Sequence, residues 1–208
     1  MSHVVDIKPK RVPYVEQTKA AILDSATDLF VEQGYTETSI DVVAKRAQFT
    51  KGAVYRHWPD KRALFAAVLE RVEADAMHTL VSGLDLTHSH PWDVAMQAIG
   101  RYVDLAGDER YRRIVIEQGP AVLGWDDWRL VDKQHTGSLI HTLLAALIER
   151  GEITPQPIEL LARLCRALIG ETAFAIAQSE NPEETKKAGL QVLETLVGAL
   201  RIQKPPTK

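Results

Sequence analysis

The sequence of 208 residues is poor in cysteine and in long apolar runs. Its one cysteine, Cys165, cannot form a disulfide within a single chain, which excludes the disulfide framework of small secreted domains. No apolar run is long enough to span a bilayer, and the polar first residues do not resemble a cleavable leader. These absences predict a cytoplasmic protein that does not enter a membrane.

Strand patterns and catalytic motifs are also missing. No segment alternates apolar and polar residues as a half-buried strand does, and there is no internal repeat. We find no nucleophile–base arrangement and no phosphate-binding loop, and His78, His88 and His90 lack the nearby carboxylates or cysteines of a metal site. The sequence therefore predicts an all-α protein that is not an enzyme and that uses no cofactor and no metal.

The chain has no overall excess of positive charge. Its net charge of -3 argues against a protein that coats nucleic acid along its whole surface. The charge is uneven, because residues 1–64 contain 10 basic and 8 acidic residues, whereas the remainder contains 15 and 20. A mildly basic first part joined to an acidic body is suited to local contact with DNA.

The most informative pattern lies between Thr38 and Trp58 and predicts two short helices joined by a tight turn. Thr38 and Ser39 are N-cap residue types, and Asp41 follows Thr38 by three positions, as in a capping box. Apolar residues at helical spacing then form one stripe, and Thr50 is the expected N-cap of the second helix. Two helices in this order form a helix-turn-helix, which places the start of its second helix in the major groove of DNA.

The predicted second helix begins with small and polar residues. Gly52 costs about 1 kcal/mol relative to alanine inside a helix, and close approach of the backbone to DNA is a reason to keep it. We expect Lys51 to contact bases and the polar side chains that follow it to donate hydrogen bonds to phosphates. The residues predicted to contact DNA are Thr38, Ser39, Thr50, Lys51, Gly52, Ala53, Tyr55, Arg56, His57 and Lys61.

This stretch resembles the DNA-binding domain of TetR-family transcriptional regulators. The resemblance covers roughly the first third of the chain and includes the preceding LFVEQGYTETS, residues 29–39. Its spaced string consists of Gly52, Val54, Tyr55, His57, Trp58, Asp60, Lys61 and Leu64. The chain departs from the family at Gln48, where a turn glycine is usual. A left-handed turn residue is preferably Gly or Asn, so a mildly strained or differently shaped turn is expected there.

The predicted fold has about nine helices. Residues 1–13 read as a disordered basic arm, residues 14–59 as the helix-turn-helix domain, and residues 60–208 as a helical effector-binding and dimerisation domain. The first helix is expected to stop at Gly34, and Gly119–Pro120 and Gly124 are expected to break or kink the middle of the chain. The family resemblance implies that the helix beginning near Asp60 links the DNA-binding domain to the body.

The last two predicted helices, residues 157–179 and 183–203, are more apolar than a single core contact requires. A DNA-binding protein with one short recognition helix is usually paired, so that two copies bind two half-sites. The family resemblance implies a four-helix bundle between two copies. The residues predicted to form this interface are Leu161, Leu164, Leu168, Ile176, Leu193, Leu196 and Leu200.

Large side chains scattered over the middle helices predict a small-molecule pocket. Such pockets combine an apolar wall with a few polar groups that orient the ligand. The residues predicted to line it are Trp92, Met96, Tyr102, Gln118, Trp125, Trp128, His135, Glu171 and Phe174.

The combined prediction is a sequence-specific transcriptional regulator that binds double-stranded palindromic DNA as a homodimer. Repression relieved by a small-molecule effector is the leading hypothesis, because ligand binding can shift the two DNA-binding heads to a spacing that no longer fits. One alternative is a DNA-associated regulator without an effector, which predicts a closed core with no cavity. The other is an all-helical enzyme, which the lack of catalytic motifs disfavours.

Overall fold

The computed structural model describes residues 14–202, except for the side chains of Tyr14, Asp132, Lys133 and Thr136. The basic arm predicted for residues 1–13 lies outside this range. Within it, the all-α prediction is confirmed, since the elements are helices and the β structure is a single bridge between Ile153 and Arg201. The ten α-helices are α1 (Tyr14–Glu37), α2 (Ile40–Arg46), α3 (Lys51–His57), α4 (Lys61–Ser82), α5 (Pro91–Asp104), α6 (Glu109–Tyr111), α7 (Gly119–Leu123), α8 (Trp125–Glu149), α9 (Ile158–Ala177) and α10 (Pro182–Gly198).

A continuous helical segment occupies the region where Gly119–Pro120 was expected to break or kink the chain. A π-helix from Arg112 to Gln118 joins α6 to α7, and Gly119 keeps helical angles, with φ −50° and ψ −60°. Pro120 has no N–H to donate, and the carbonyl five residues before it, that of Val115, accepts a 2.9 Å bond from the indole of Trp128. The chain is therefore not broken at this pair, although the helix changes there from π to α; Gly124 does end the segment, with φ 78°.

The chain forms two compact units that divide between Phe65 and Ala66. The first contains α1, α2, α3 and the first turn of α4. The ring of Phe65 lies 5.2 Å from that of Phe30 and 5.4 Å from that of Tyr35, both on α1. These contacts explain why the first turn of α4 belongs with the first unit, a few residues beyond the predicted boundary at residue 59.

The second unit contains the rest of α4 and all later helices. Its last two helices approach closely at Gly189, where an added Cβ would lie 2.6 Å from the Thr172 methyl carbon. After α10 the backbone N–H of Ile202 donates to the Glu152 carbonyl at 2.8 Å. In the part of the chain that the structure describes, no helix has the length and apolar composition to cross a bilayer.

Candidate nucleic-acid interface and internal cavity

The turn between α2 and α3 has the left-handed residue that the sequence suggested. Gln48 has φ 60° and is the one residue other than glycine with positive φ in the described chain. The N–H of Phe49 donates to the Ala44 carbonyl, and that of Gln48 to the Lys45 carbonyl, which is the Schellman pattern of helix ends. Because the left-handed conformation is unfavourable for a residue with a Cβ, the turn is mildly strained.

The start of α3 presents an open backbone. Thr50 is its N-cap, as predicted, and its hydroxyl oxygen accepts a 3.2 Å bond from the Ala53 N–H. At Gly52 an added Cβ would meet only the Thr50 hydroxyl oxygen, at 3.9 Å. Val54 is buried on the opposite side, which anchors the helix, while Tyr55 is 45% exposed. No described part of the chain therefore packs against the outer face of the first turn of α3.

Lys51 is paired with an acidic neighbour across the helix-turn-helix. Its ammonium lies 2.7 Å from Asp41 Oδ2, and both side chains are more than half exposed. The hydrogen bond to this carboxylate raises the pKa of Lys51. A base or phosphate must therefore compete with Asp41 for Lys51. The sequence had predicted a different role for Asp41, in a capping box with Thr38.

Two residues predicted to contact DNA have structural partners instead. Thr38 is 1% exposed, and its hydroxyl donates to the Gly34 carbonyl at 2.8 Å, so Ser39 alone caps α2 and the capping box is absent. Lys61 donates to the carbonyls of Tyr35 at 2.8 Å and Thr36 at 3.3 Å, at the end of α1. Thr38 is removed from the set of DNA contacts for this reason, and Lys61 is engaged within the first unit.

An exposed apolar stripe runs along the last two helices. Its members, which we call the α9–α10 stripe, have exposed fractions between 40% and 56%. They are Leu160, Leu164, Leu168, Val192 and Leu196. Their spacing of four residues along each helix places them on one side, where they leave apolar area in water.

The second unit contains a partly open apolar cavity of about 80 Å³. Side chains from five helices line it: Met77 and Leu80 on α4, Trp92, Ile99 and Tyr102 on α5, Leu143 and Leu147 on α8, Cys165, Arg166 and Ile169 on α9, and Val197 on α10. Cys165 is buried, as predicted for a small apolar side chain, and burial raises the pKa of its thiol. Arg166 is the one charged residue of the lining.

Three polar side chains form a short chain of contacts beside this cavity. The hydroxyl of Tyr111 lies 3.4 Å from each carboxylate oxygen of Glu73 and 3.4 Å from the hydroxyl of Tyr102. Glu73 is fully buried on α4, and Tyr111 is 2% exposed. Since Tyr102 also lines the cavity, this Tyr102–Tyr111–Glu73 chain connects the cavity wall to α4.

Comparison with known families covers both units. Residues 22–68 match the model for bacterial regulatory proteins of the tetR family, and residues 92–200 match the model for the tetracyclin repressor-like C-terminal domain. The second match alone spans more than half of the chain. The chain belongs to the TetR family. It is accordingly a DNA-binding transcriptional regulator, and the family resemblance of the first third extends to residues 92–200.

Two curated relatives match this chain over more than two thirds of their own length. The transcriptional regulator SrpR of Pseudomonas putida is 30% identical over 154 residues, which are 73% of this chain and 69% of that protein. The transcriptional repressor BepR of Brucella suis is 25% identical over 194 residues, 89% of this chain and 92% of that protein. These similarities agree with the role of a transcriptional regulator.

Solved structures show the same fold. A TetR-family regulator from Pectobacterium atrosepticum is 30% identical, with a TM-score of 0.79, and the match covers 95% of this chain and all of that one. A structure of SmeT in complex with triclosan is 23% identical, with a TM-score of 0.67, and the match covers 92% and 96% of the two chains. The latter similarity concerns the fold alone.

The structure divides the predicted pocket residues between several places. Trp92 and Tyr102 line the cavity, but the other seven do not. Met96 lies on α5 outside the lining positions, and Glu171 is exposed on α9. His135 has its Nε2 buried without a hydrogen-bond partner among the described residues. Gln118 ends the π-helix.

Three of these seven residues form an aromatic cluster. The ring of Trp128 lies 5.4 Å from that of Trp125 and 5.7 Å from that of Phe174. Trp128 is buried and donates to Val115, whereas Trp125 is 52% exposed. The cluster thus supports the end of the π-helix and is not a wall of the cavity. The sequence signals that identify the actual lining were the apolar periodicities of α5, α8 and α9.

The predicted interface residues also separate into two groups. Leu164, Leu168 and Leu196 belong to the exposed α9–α10 stripe, and Leu200 is half-buried. Leu161, Ile176 and Leu193 are buried in the chain's own core, with exposed fractions of 7%, 3% and 1%. The prediction is therefore wrong for these three, which are core residues. One side of α9 and α10 packs against the other helix and the rest of the second unit, and a different side carries the stripe.

Proposed function

We propose that this TetR-family protein is a homodimeric repressor that binds a palindromic operator and is released from it by a small molecule. The first turn of α3 contacts the bases, the α9–α10 stripe joins two copies, and the cavity receives the effector. The proposed place of action is the cytoplasm, where the DNA lies. Each of the three assignments is supported by a different observation.

The open backbone at Gly52 is the observation that carries the DNA-binding face. Glycine inside a helix is less stable than alanine, and nothing in the described chain fills the space where a Cβ at Gly52 would be. The N-terminus of a helix also attracts phosphate through its free N–H groups and its dipole. Lys51, Tyr55 and Arg56 are exposed on the same short helix and supply donors.

The α9–α10 stripe supports a dimer of this chain. Patches of exposed leucine and valine on neighbouring helices mark interaction surfaces in soluble proteins. A dimer supplies two α3 helices, one for each half-site of a palindrome, and such half-sites lie about 34–36 Å apart on DNA. The monomeric alternative leaves five large apolar side chains in water.

The cavity supports an effector, and α4 offers a route from it to the DNA-binding face. Met77 and Leu80 of α4 line the cavity, while Lys61 at the start of the same helix binds the end of α1. A ligand that moves α4 therefore acts on a helix shared with the first unit. A related fold, that of SmeT, binds triclosan. The alternative without an effector predicts a closed core, and the presence of a cavity counts against it.

The test of the proposed function is a titration of the purified protein against the DNA upstream of its own gene, beside a scrambled duplex, at two salt concentrations. We expect the upstream DNA to be bound about a thousandfold more tightly or better, which lies in the range of specific regulators. Equal binding to both would call for selection from random duplexes. If that selection enriched no sequence, the assignment as a sequence-specific repressor would be refuted.

The dimer is tested by placing a charge in the stripe. Leu164→Glu should raise the dissociation constant of the dimer at least about a hundredfold, roughly 3 kcal/mol, because the interface would bury an unpaired carboxylate. Sedimentation across micromolar concentrations measures it. Lys187→Glu, an exposed charge reversal on α10 outside the stripe, is the matched control. A wild-type protein that sediments only as a monomer would contradict the proposed dimer.

A further inference from the structure

A second pocket lies beside the cavity and shares part of its wall. This outer pocket, as we call it, measures about 320 Å³ and lies between the end of α4, the loop of residues 83–90, α5 and α8. Leu139 and Leu143 of α8, one helical turn apart, line both the cavity and the outer pocket. Leu139 also packs on the buried Met77 and Leu80 of α4. Two leucine side chains therefore form the wall between the two spaces.

The cavity alone is small for a ligand. A cavity of about 150 Å³ admits benzene, and ligand pockets usually measure about 300–1,000 Å³, whereas this cavity measures about 80 Å³. An effector of more than a few atoms must therefore extend out of the cavity. The outer pocket has the space that the cavity lacks.

The lining of the outer pocket contains no charged residue. It is apolar except for three hydroxyl groups, those of Ser89, Ser138 and Thr142. A hydroxyl can both donate and accept a hydrogen bond, so these side chains suit an uncharged polar group. An anion in the outer pocket would lose its hydration without gaining a cation as a partner, which is unfavourable.

A groove between α8 and α9 is a competing extension of the cavity. It shares with the cavity one lining residue, Arg166, where the outer pocket shares two leucines. Its lining includes charged side chains of both signs, namely Asp126, Arg129, Glu159 and Arg163. An apolar chain in this groove would remove water from these charges, so the outer pocket is the better continuation of the apolar cavity.

The loop beside the outer pocket is held in place by its own hydrogen bonds. Asp85 accepts bonds from the backbone N–H of His88 at 2.9 Å and from that of Thr87 at 3.1 Å. These bonds, that from His88 most strongly, lower the pKa of Asp85. Leu86 in the same turn is 51% exposed and lines the outer pocket. An apolar molecule in the pocket would cover this side chain.

We propose that the cavity and the outer pocket are the two ends of one effector site, and that the effector is an elongated, uncharged molecule. Its apolar end passes Leu139 and Leu143 into the cavity, and a polar group such as a hydroxyl at its other end lies among the three hydroxyl side chains of the outer pocket. This inference rests on the proposed function, since it names the class of effector for the same cavity.

The test measures the affinity of 1-octanol, an uncharged chain with one hydroxyl, by calorimetry on the full-length protein without DNA. We expect a dissociation constant below about 1 mM, within reach of a ligand of this size. Octanoate, the anionic counterpart, should bind at least about tenfold more weakly, because the outer pocket has no cation.

Two variants fill the two ends of the proposed site. Cys165→Met adds two heavy atoms inside the cavity, and Thr142→Trp adds an indole at an exposed position of the outer pocket. Each should weaken 1-octanol about tenfold, which corresponds to about two methylene groups that are no longer buried. The milder Cys165→Val and Leu86→Ala should each weaken it about threefold. Leu130→Trp, which fills the α8–α9 groove instead, is the matched control and should leave the affinity within about twofold of wild type.

Four results would overturn the inference. They are binding of 1-octanol weaker than about 1 mM, octanoate that binds as tightly as 1-octanol, an affinity that survives the filling of either end, and a loss with Leu130→Trp as large as that with Thr142→Trp. Thermal melts without probe show which variants fold. Operator binding is measured separately on the same preparations: its absence would refute the proposed function, whereas failure of the probe experiment alone would refute only the effector class.

Discussion

Gly52 in the first unit and Gly119 in the second are both helical glycines, yet their surroundings are opposite. A Cβ added at Gly119 would lie 2.6 Å from Trp128 Cδ1 and 2.9 Å from Leu69 Cδ1. A Cβ added at Gly52 would meet nothing closer than 3.9 Å. The chain's own packing explains the first glycine and leaves the second unexplained. The comparison shows that the packing of the body constrains Gly119 and that no described contact constrains Gly52, whose place in α3 the proposed contact with DNA would explain.

The largest change in stability is expected when a side chain is added at Gly119, which has no room for it. Gly119→Ala should lower the free energy of unfolding by about 2 kcal/mol, because Trp128 must move and its indole bond to Val115 is put at risk. Chemical denaturation measures the change. The matched control is Gly100→Ala in α5, where an added Cβ has open space and should stabilise by about 0.5–1 kcal/mol. Equal changes in the free energy of unfolding at Gly119 and Gly100 would show that the packing around Gly119 does not exclude a side chain.

Two lysines of the first unit allow the same comparison between a structural role and a proposed role in DNA binding. Lys61 binds two backbone carbonyls and lies 4.2 Å from the centre of the Tyr35 ring, while Lys51 meets only the exposed Asp41 among the contacts described. Lys61→Ala should therefore lower the stability of the first unit by about 1 kcal/mol. Lys51→Ala should leave stability unchanged and alter the preferred bases. Thermal unfolding and sequence selection on the two variants measure this, and a Lys61→Ala protein of wild-type stability would refute the structural role.

The smallest effect concerns the strained turn. Gln48→Gly should raise the stability of the first unit by about 0.5–1 kcal/mol, since glycine adopts φ 60° without the Cβ penalty and loses part of that gain to chain entropy. Gln48→Ala keeps a Cβ and should show no gain. Denaturation midpoints of the two variants decide the matter, and stabilisation by alanine would show that the turn is unstrained.

The local features of the first unit could be predicted from the sequence, because they depend on short-range chemistry. The Thr50 cap and the break in α1 at Gly34, where φ is 82°, follow from residue type and spacing, and the left-handed position at Gln48 was expected from the family resemblance. The roles of Thr38 and Lys61 could not, since their partners are backbone carbonyls several to many residues away. A polar side chain looks the same in a sequence whether it faces solvent or closes a turn.

The sequence predicted that the second unit is helical, but not which of its residues are buried or line the cavity. Apolar periodicity identified α9 and α10 but not which of their leucines would be buried, because each helix has two apolar sides and their assignment depends on tertiary packing. The cavity was placed by its aromatic residues, yet three of those form the cluster around Trp128. Local breaker rules also failed at Pro120, where a bond from a distant indole offsets the missing N–H.

The most direct test of the account is Gly52→Ala, with operator affinity and the stability of the free protein measured on the same preparation. We predict that stability rises by about 0.5–1 kcal/mol, as for an open helical site, while operator affinity falls about tenfold or more because the methyl group holds the backbone away from the DNA. Unchanged affinity in a protein that is equally or more stable would contradict the central claim that the first turn of α3 meets DNA at close range.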